Sequence, residues 1–124
     1  MKKLIFLFSL FIAFQAVAQE GIRFRHCSWE EAKAMAKKEK KPIFIDFYTQ
    51  WCGPCLNMAE NIFTLGSVGN FYNDHFVCLK IDAETGEGVE LAKKYEVASF
   101  PTFVFVNPKT EKAIHISGSN QDRE

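Results

Sequence analysis

Apolar residues recur along the chain either at every second position, as in strands, or at helical spacing. The changes between these two periods predict the order of strands and helices. Residues 22–27 alternate apolar and polar side chains, which predicts a half-buried edge strand. A capping box formed by Ser28 and Glu31 follows, with apolar residues at helical spacing behind it. Because Pro42 disfavours helical dihedrals in the residue before it, this helix is expected to end near residue 40.

The middle of the chain contains two apolar runs that are typical of covered strands. Residues 43–48 are apolar except for the carboxylate of Asp46, and residues 76–81 form the second run. Each run is followed by helical spacing, at residues 56–63 and at residues 86–95. This alternation of strands and helices predicts a parallel sheet core.

The remaining segments predict a connection and a hairpin. Residues 64–75 are expected to connect the second helix to the next strand, with a short helix beginning after Ser67. Residues 102–106 and 113–117 flank an Asn-Pro-Lys-Thr turn at residues 107–110, which predicts a β-hairpin at the sheet edge. The predicted order of elements is therefore βαβαβαββ.

The first eighteen residues have the pattern of an export signal. Two lysines precede an almost wholly apolar run at residues 4–14, and Ala-Val-Ala ending at Ala18 supplies the small residues that a signal peptidase requires. The apolar run is too short for a membrane-spanning helix, which needs about 20 residues. We expect residues 1–18 to be a cleaved signal peptide and residues 19–124 to act in the periplasm or otherwise outside the cytoplasm.

Composition narrows the classes of function. The chain has 124 residues, enough for one domain, and its 48% hydrophobic and 24% charged residues exclude a disordered protein. Fifteen basic residues balance fifteen acidic ones, so no net positive field exists for nucleic acid, and we expect no nucleic-acid partner. Four cysteines are too few for a disulfide-stapled scaffold.

Two of the cysteines form one short motif. Cys52 and Cys55 lie three residues apart at the predicted start of a helix, so they share a face and are close enough for a disulfide. Cys52 faces the helix N-terminus, where backbone donors and the macrodipole favour a thiolate, and it is the expected nucleophile. Cys55 would then resolve the mixed disulfide. Gly53 permits a tight turn, and Pro54 fits the first helical turn.

Two other interpretations of this motif remain open, half of a zinc site and a structural disulfide. Zinc normally requires a second pair of cysteines or histidines at close spacing. Cys27 and Cys78 stand alone in the sequence, and the three histidines are scattered. We therefore predict no metal site.

Three separated motifs resemble the thioredoxin superfamily. The Trp-Cys-Gly-Pro-Cys run of residues 51–55 is similar to the family's active-site motif, and Asp46 matches its buried aspartate. Residues 100–102, Phe-Pro-Thr, match the loop whose proline is cis in the family and faces the dithiol. The resemblance extends from about residue 22 to the end of the chain. It implies an α/β thioredoxin-like fold with a central mixed sheet flanked by helices.

Within the superfamily the chain resembles exported thioredoxin-like domains. An example is the periplasmic C-terminal domain of the membrane transporter that carries electrons outward from cytoplasmic thioredoxin. This resemblance is carried by Trp29 with Ala32 and by residues 41–44, 61–63 and 91–95. It implies an exported thiol–disulfide oxidoreductase whose substrates are other exported proteins with disulfides.

The Gly-Pro pair between the cysteines resembles that of reducing thioredoxins, so reduction of protein disulfides is the expected direction. A membrane-bound electron donor would then re-reduce the dithiol, because exported compartments lack a reducing thioredoxin pool. No cofactor is expected. The alternatives are a disulfide oxidase or isomerase, and a non-catalytic module that binds peptides.

The resemblance also implies a role for Asp46. A buried carboxylate in an apolar strand has a raised pKa unless it gains a partner, and in the family it helps to deprotonate the second cysteine, here Cys55. By alignment, Cys78 lies where the family has the lysine that partners this aspartate. Lys80 follows two residues later and is expected to face the same way.

Substrate binding is expected from residues around the dithiol. Pro101 interrupts an apolar run, which fits a cis-proline loop that brings the backbone of Phe100 to an extended substrate strand. Trp51, Gly53 and Pro54 are expected to complete this surface.

Two further expectations follow from the resemblance. Thioredoxin-like domains normally finish with a helix after the hairpin, and here Ser119 or Asn120 has the character of a helix N-cap. We expect the chain to be truncated from a longer protein, with one sheet face incompletely covered. Cys27 and Cys78 are expected to be isolated thiols. A disulfide between them is the alternative, because the first and third predicted strands are neighbours in this fold.

Overall fold

A computed structural model describes residues 20–118, so the predicted signal peptide and the candidate cap at residues 119–120 lie outside the described residues. The described chain forms a four-stranded mixed sheet with the order β2-β1-β3-β4. Its strands are β1 (Ile43–Tyr48), β2 (Val77–Asp82), β3 (Thr102–Val106) and β4 (Ala113–Gly118). β1 pairs in parallel with β2 and antiparallel with β3, and β4 closes the hairpin. The expected mixed sheet of a thioredoxin-like fold is confirmed.

Four helices accompany this sheet in the described residues. They are α1 (Trp29–Glu39), α2 (Gly53–Asn61), α3 (Gly66–His75) and α4 (Glu87–Lys94). Ser28 caps α1 as predicted, because its Oγ accepts the backbone N–H of Glu31 at 3.1 Å. The helix ends where Lys40 adopts a left-handed φ of 56°. Between residues 20 and 118, no helix is long and apolar enough to cross a membrane.

The segment predicted as the first strand differs from the expectation. Over residues 22–27 only Phe24 pairs with the sheet, through one parallel bridge to Cys78. The backbone before Phe24 forms its hydrogen bond outside the sheet, since the N–H of Ile22 donates to the carbonyl of Phe63 at 2.7 Å. The alternating pattern gave the half-burial of Ile22 and Phe24 correctly but neither that of Arg25 nor the pairing of the segment. The order of elements is therefore αβααβαββ, and α3 begins at Gly66, slightly earlier than predicted.

Two side-chain clusters pack on opposite faces of the sheet. α1 and α4 cover a mainly aliphatic cluster that includes Ile43 and Ile45 of β1. α2 and α3 flank an aromatic cluster centred on Phe44, whose side chain is 1% exposed. Six aromatic rings have centroids within 6.5 Å of the Phe44 ring. These six rings belong to Phe24, Phe63, Tyr72, Phe76, Phe103 and Phe105. Aromatic pairs of this kind add stability beyond the area that they bury.

The two unpaired cysteines lie on opposite sides of the sheet. Cys27 packs against the aliphatic cluster, whereas Cys78 is part of the aromatic one, and both are free thiols. The expectation of isolated thiols is confirmed, and the alternative disulfide between them is wrong.

Apolar side chains near β4 are incompletely covered. Phe103 and Phe105 are half-buried on the aromatic face, and Ile114 and Ile116 of β4 are 63% and 47% exposed. Exposure therefore occurs at the β4 edge on both faces of the sheet. The proposed truncation of the chain stays a prediction.

One carboxylate ties the β3–β4 loop to α1 and α4. Glu111 accepts hydrogen bonds from Lys94 Nζ at 2.7 Å and from the indole N–H of Trp29 at 3.0 Å. Its other carboxylate oxygen lies 3.3 Å from Lys33 Nζ. These bonds, the one from Lys94 above all, lower the pKa of Glu111 to about 2.

Replacing Glu111 with glutamine should destabilise the protein near neutral pH. Because the folded pKa lies below the ordinary value of 4.5, the carboxylate stabilises the fold above that value. This contribution is lost as the pH falls toward about 2. Urea unfolding of the wild type and Glu111→Gln across this range should show their difference disappear in acid. Glu90→Gln, which loses only an exposed pair with Lys93, is the control. A difference that does not change with pH would contradict this account.

Candidate redox site

The paired cysteines lie where the chain leaves the carboxyl end of β1 and enters α2. Cys52 and Cys55 form a disulfide whose Cα atoms are 5.3 Å apart. Cys52 is the N-cap of α2, and its Sγ accepts the backbone N–H of Cys55 at 3.1 Å. The Cys52 sulfur thus lies at the positive end of the helix dipole with a hydrogen-bond donor on it. Both features favour a thiolate at this position once the disulfide is reduced.

Gly53 and Pro54 open α2 on the exposed side of the disulfide. Proline is suited to this position because the first helical turn leaves its backbone N–H groups without helical partners. Both residues are exposed, whereas the cysteines that flank them are only 6% and 4% exposed.

The loop before β3 contacts Trp51, the residue that precedes the disulfide. The peptide bond between Phe100 and Pro101 is cis, as the resemblance implies. The Phe100 ring meets the Trp51 ring edge to face, with centroids 6.1 Å apart. Trp51 is 72% exposed, and its indole N–H donates to Glu84. The structure therefore brings Phe100, with its cis neighbour Pro101, against Trp51, the residue that precedes Cys52.

Asp46 lies in the interior of β1. Its side chain is 1% exposed, and its Oδ1 has no hydrogen-bond partner in the described part of the chain. Burial raises the pKa of Asp46 to about 6, and the positive charge of Lys80 limits the rise. A carboxyl group with this pKa changes its charge close to neutral pH, which suits a group that takes up and releases a proton.

Lys80 and Tyr48 belong to the surroundings of the site but were not among the predicted site residues. Lys80 lies directly opposite Asp46 on β2, and its Nζ is 4.9 Å from the centroid of the Tyr48 ring. Cys78, at the position of the family's lysine, is buried, and burial raises the pKa of its thiol to about 12. The period of two along β2 was the signal that placed Lys80 on the face of Asp46.

A cleft of about 360 Å³ opens beside the disulfide. Cys52, Cys55, Trp51, Leu56 and Lys80 are among the residues that line it. Leu56 is 59% exposed, so two large apolar side chains, Leu56 and Trp51, face solvent next to the sulfur atoms. Such a surface suits a polypeptide that contacts the site while it exchanges a disulfide.

The described residues hold no group of three or more histidine, cysteine or acidic side chains that could bind a metal ion. The cysteines of the motif are bonded to each other, and the other two lie on separate faces of the sheet.

Comparisons with known proteins agree with this geometry. The sequence profile of the thioredoxin-like family matches residues 24–108. Thioredoxin-1 of Drosophila yakuba is 37% identical over 91 residues, which cover 73% of this chain and 79% of that protein. The chain therefore belongs to the thioredoxin-like family.

Solved structures show the same relationship. The solution structure of a candidate disulphide-isomerase from Bacteroides thetaiotaomicron is 42% identical, with a TM-score of 0.73, and the match covers 83% of this chain and 84% of that one. A thioredoxin from Thermus thermophilus is 27% identical, with a TM-score of 0.68, over 78% of this chain and 75% of that one. Together with the paired cysteines, these relatives identify a thioredoxin-like thiol–disulfide oxidoreductase. The likeness to the domain of the membrane electron transporter stays a prediction.

Replacing Asp46 with asparagine should make the oxidised protein more stable above neutral pH. The folded pKa of about 6 lies above the ordinary value of 3.8, so the ionised carboxylate penalises the fold. The penalty is absent below the lower value, grows as the pH rises through the higher one, and reaches about 2–3 kcal/mol at about pH 8. Urea unfolding from acid to mildly alkaline pH measures it. The control is Asp74→Asn, which changes an exposed aspartate. If the unfolding free energies of wild type and Asp46→Asn changed with pH in parallel, the raised pKa of Asp46 would be refuted.

Proposed function

We propose that this chain is an exported thiol–disulfide oxidoreductase that reduces disulfide bonds in protein substrates. The observation that carries the proposal is the Cys52–Cys55 pair, with the Cys52 sulfur at the N-terminus of α2 and a backbone donor on it. Helix N-termini lower the pKa of cysteines, and the thiolate is the form that attacks disulfides.

In the first step the Cys52 thiolate attacks one sulfur of the substrate disulfide. A bond forms between Cys52 Sγ and that sulfur, while the substrate's own sulfur–sulfur bond breaks. The other substrate sulfur leaves as a thiolate and takes a proton from water. The product is a mixed disulfide between enzyme and substrate.

In the second step Cys55 releases the substrate. Asp46 accepts the proton of the Cys55 thiol, and the resulting thiolate attacks Cys52 Sγ and breaks the mixed disulfide. The second substrate sulfur leaves and is protonated. Two electrons have then passed from the cysteine pair to the substrate, and Asp46 returns its proton to solvent. The raised pKa of Asp46 supports this role, since the carboxylate is available as an acceptor near neutral pH.

The surface around the dithiol supports a polypeptide substrate. Trp51 and Leu56 expose apolar area next to the cysteines, and the Phe100–Pro101 loop lies against Trp51. We assign Trp51, Gly53, Pro54, Phe100 and Pro101 to the binding of the substrate segment around its cysteine. A substrate segment in an extended conformation exposes its backbone and can lie along such a surface. A compactly folded segment exposes less of its backbone.

Direction and location rest on the sequence. The Gly-Pro pair between the cysteines is similar to that of reducing thioredoxins, and the pattern of residues 1–18 supports export. A reductase in an oxidising compartment is itself oxidised at each turnover, so it requires an outside source of electrons. We therefore include a membrane-bound dithiol donor in the proposal. A disulfide isomerase is the competing activity, since one similar structure is described as a candidate of that class.

Two cysteine variants test the chemistry. Cys52→Ser should lose insulin reduction in the presence of dithiothreitol, because no nucleophile remains. Cys55→Ser, reduced beforehand and freed of dithiothreitol, should accumulate a mixed disulfide with insulin that is visible on a non-reducing gel, because no resolving thiol remains. Cys27→Ser, which alters a thiol on the aliphatic face, is the matched control and should retain activity. Unchanged activity in Cys52→Ser would refute the role of the cysteine pair, and a wild type without activity would leave a peptide-binding module.

The reduction potential of the Cys52–Cys55 pair decides the direction. A value near that of thioredoxin, about −270 mV, is expected for a reductase. A value of about −180 mV or higher would instead indicate an isomerase or an oxidase. Equilibration with glutathione buffers, followed by mass spectrometry of alkylated protein, measures it.

Export is tested separately with the full chain tagged at its C-terminus and expressed in a Gram-negative bacterium. We expect the protein in the periplasmic fraction, with Gln19 as its first residue by mass spectrometry. Retention of the uncleaved chain in the cytoplasm would contradict this part of the proposal without affecting the redox chemistry.

A further inference from the structure

We infer that the substrate segment next to the reacting cysteine lies extended in a groove along α2, with an acidic side chain of that segment against Lys80. The groove runs from the disulfide toward the first described residues of the chain. The inference rests on the proposed function and adds to it the class of substrate segment that the site selects.

Two clefts join to form this groove. The cleft beside the disulfide has a volume of about 360 Å³, and a second cleft of about 350 Å³ lies between α2 and residues 20–24, here called the strap. Ala59 of α2 and Lys80 of β2 line both clefts, so the two clefts meet at these residues. We call the joined clefts the α2 groove.

The α2 groove follows one stripe of α2 and of the turn after it. The residues of this stripe lie three or four positions apart, as on one face of a helix, and are Cys52, Leu56, Ala59 and Phe63. At about 1.5 Å of rise per residue the stripe is about 16 Å long. About five residues of extended chain cover that length, since each spans about 3.3 Å. The groove is therefore long enough for the residues that flank a substrate cysteine.

The wall opposite α2 is the strap, which hydrogen bonds hold against α3. The side chain of Asn73 accepts the backbone N–H of Arg23 at 2.9 Å and donates to the carbonyl of Gly21 at 3.1 Å. The strap also approaches α3 so closely that a side chain in place of Gly69 would collide with the carbonyl of Glu20. A wall held in this way is formed before a substrate arrives, so binding does not have to order it.

Lys80 is the half-buried charge of the α2 groove. Its Nζ lies 4.9 Å from the centroid of the Tyr48 ring and 6.0 Å from that of the Phe24 ring, within the range of cation–π attraction. Among the described residues no carboxylate oxygen lies within 4.0 Å of this nitrogen, and no acceptor forms a hydrogen bond with it. The ammonium donors are therefore available to a ligand in the groove.

The charges of the α2 groove favour an acidic segment. Glu20 and Arg23, the other charged residues that line it in the described chain, are exposed and opposite in sign. A carboxylate beside Lys80 would form a charge-assisted hydrogen bond. A substrate lysine at the same place would meet a like charge that is partly shielded from water. The exposed side chain of Leu56 and the buried ring of Phe63 give the groove apolar surface for the neighbouring side chains.

The α2 groove is continuous with the surface already assigned to the substrate. Trp51 lines the groove beside the disulfide, and its ring contacts Phe100. A substrate whose cysteine reacts with Cys52 can therefore contact the Phe100–Pro101 loop with one flank and the α2 groove with the other.

Disulfide-linked peptides of two lengths test the groove with the reduced full chain. The short substrate is a cysteine with blocked termini in a symmetric disulfide, and the long substrate has about five further residues on each side of the cysteine. The second-order rate constants of disulfide reduction are measured at about pH 8, where Asp46, with its pKa of about 6, is ionised. The long substrate should react about tenfold faster than the short one, because contacts away from the sulfur atoms contribute to the transition state.

Three variants locate this length effect. Ala59→Gln places a longer side chain where the two clefts meet, and Asn73→Ala removes both side-chain bonds to the strap. Both should bring the ratio of long to short rate constants close to one. Asn57→Gln changes an exposed residue of α2 that lines neither cleft, and it should keep the wild-type ratio.

A glutamate moved along the flanks of the long substrate tests the contact with Lys80. At one position glutamate should react about fivefold faster than glutamine, as expected for a partly exposed ion pair, and lysine should react more slowly than glutamine. Lys80→Gln should abolish this preference, and Lys80→Arg should keep it. The preference is a ratio measured within one variant, so an effect of Lys80 on the dithiol itself cancels.

The outcomes separate the inference from the function on which it rests. Equal rate constants for both lengths in the wild type, or a length effect that survives in Ala59→Gln and Asn73→Ala, would overturn the groove. A glutamate preference that persists in Lys80→Gln would overturn the acidic contact.

A wild type that cannot reduce even the short substrate would overturn the proposed function instead. The groove would then be decided by binding alone, with the long peptide carrying serine in place of its cysteine. Nuclear magnetic resonance should show shifts at the amides of Ala59 and Thr64, which line the groove, and none at Asn57. Shifts absent from Ala59 and Thr64 would overturn the inference.

Discussion

The structure depends on a strand that is buried on both faces and still carries a carboxyl group. β1 lies between β2 and β3, and five of its six residues are buried. Alternate side chains of this strand enter the aliphatic and the aromatic clusters, so both layers of the fold are built on it. Asp46 interrupts the series on the aromatic face, and the charged part of the redox site begins at that residue.

The aromatic face changes in character along β1. Near the start of the strand Phe44 is enclosed by aromatic rings. Two residues later Asp46 faces Lys80, and two residues after that Tyr48 lines the cleft beside the disulfide. The surroundings thus pass from apolar to charged to solvent-accessible toward the carboxyl end of the strand. Functional groups gather at such strand ends because the loops that follow them are free of the packing demands of the core.

The parts of the site that could be predicted are those that depend on residues close in sequence. The position of Cys52 at a helix N-terminus follows from the spacing of the cysteines and from Pro54, and the cap at Ser28 follows from its own neighbourhood. The burial of Asp46 follows from the apolar residues on either side of it. In each case the physical cause lies within one turn of helix or a few residues of strand.

The features that were missed depend on contacts between distant segments. Alternation at residues 22–27 indicates that Ile22 and Phe24 turn toward the protein, but the backbone partner of Ile22 is a carbonyl after α2. By alignment Cys78 lies where the family has its lysine, and the period of two put Lys80 on the same face as that position; the strand register makes Lys80 the direct partner of Asp46. A register is set by packing on both faces of a sheet, so the local period gave the face of Lys80 but not its pairing.

Asp46 shows why the site and the stability of the fold oppose each other. A proton acceptor for a thiol works best when its pKa lies near the working pH, and an exposed aspartate titrates far below neutral pH. Burial raises the pKa of the carboxyl group, but each part of this rise also lowers the stability of the folded state above that pKa. A nearby cation limits the penalty and the rise together. The aromatic cluster and the Glu111 bonds are independent sources of stability that leave room for this cost. The charge of Lys80 therefore limits how much stability the buried carboxyl group of Asp46 costs the fold.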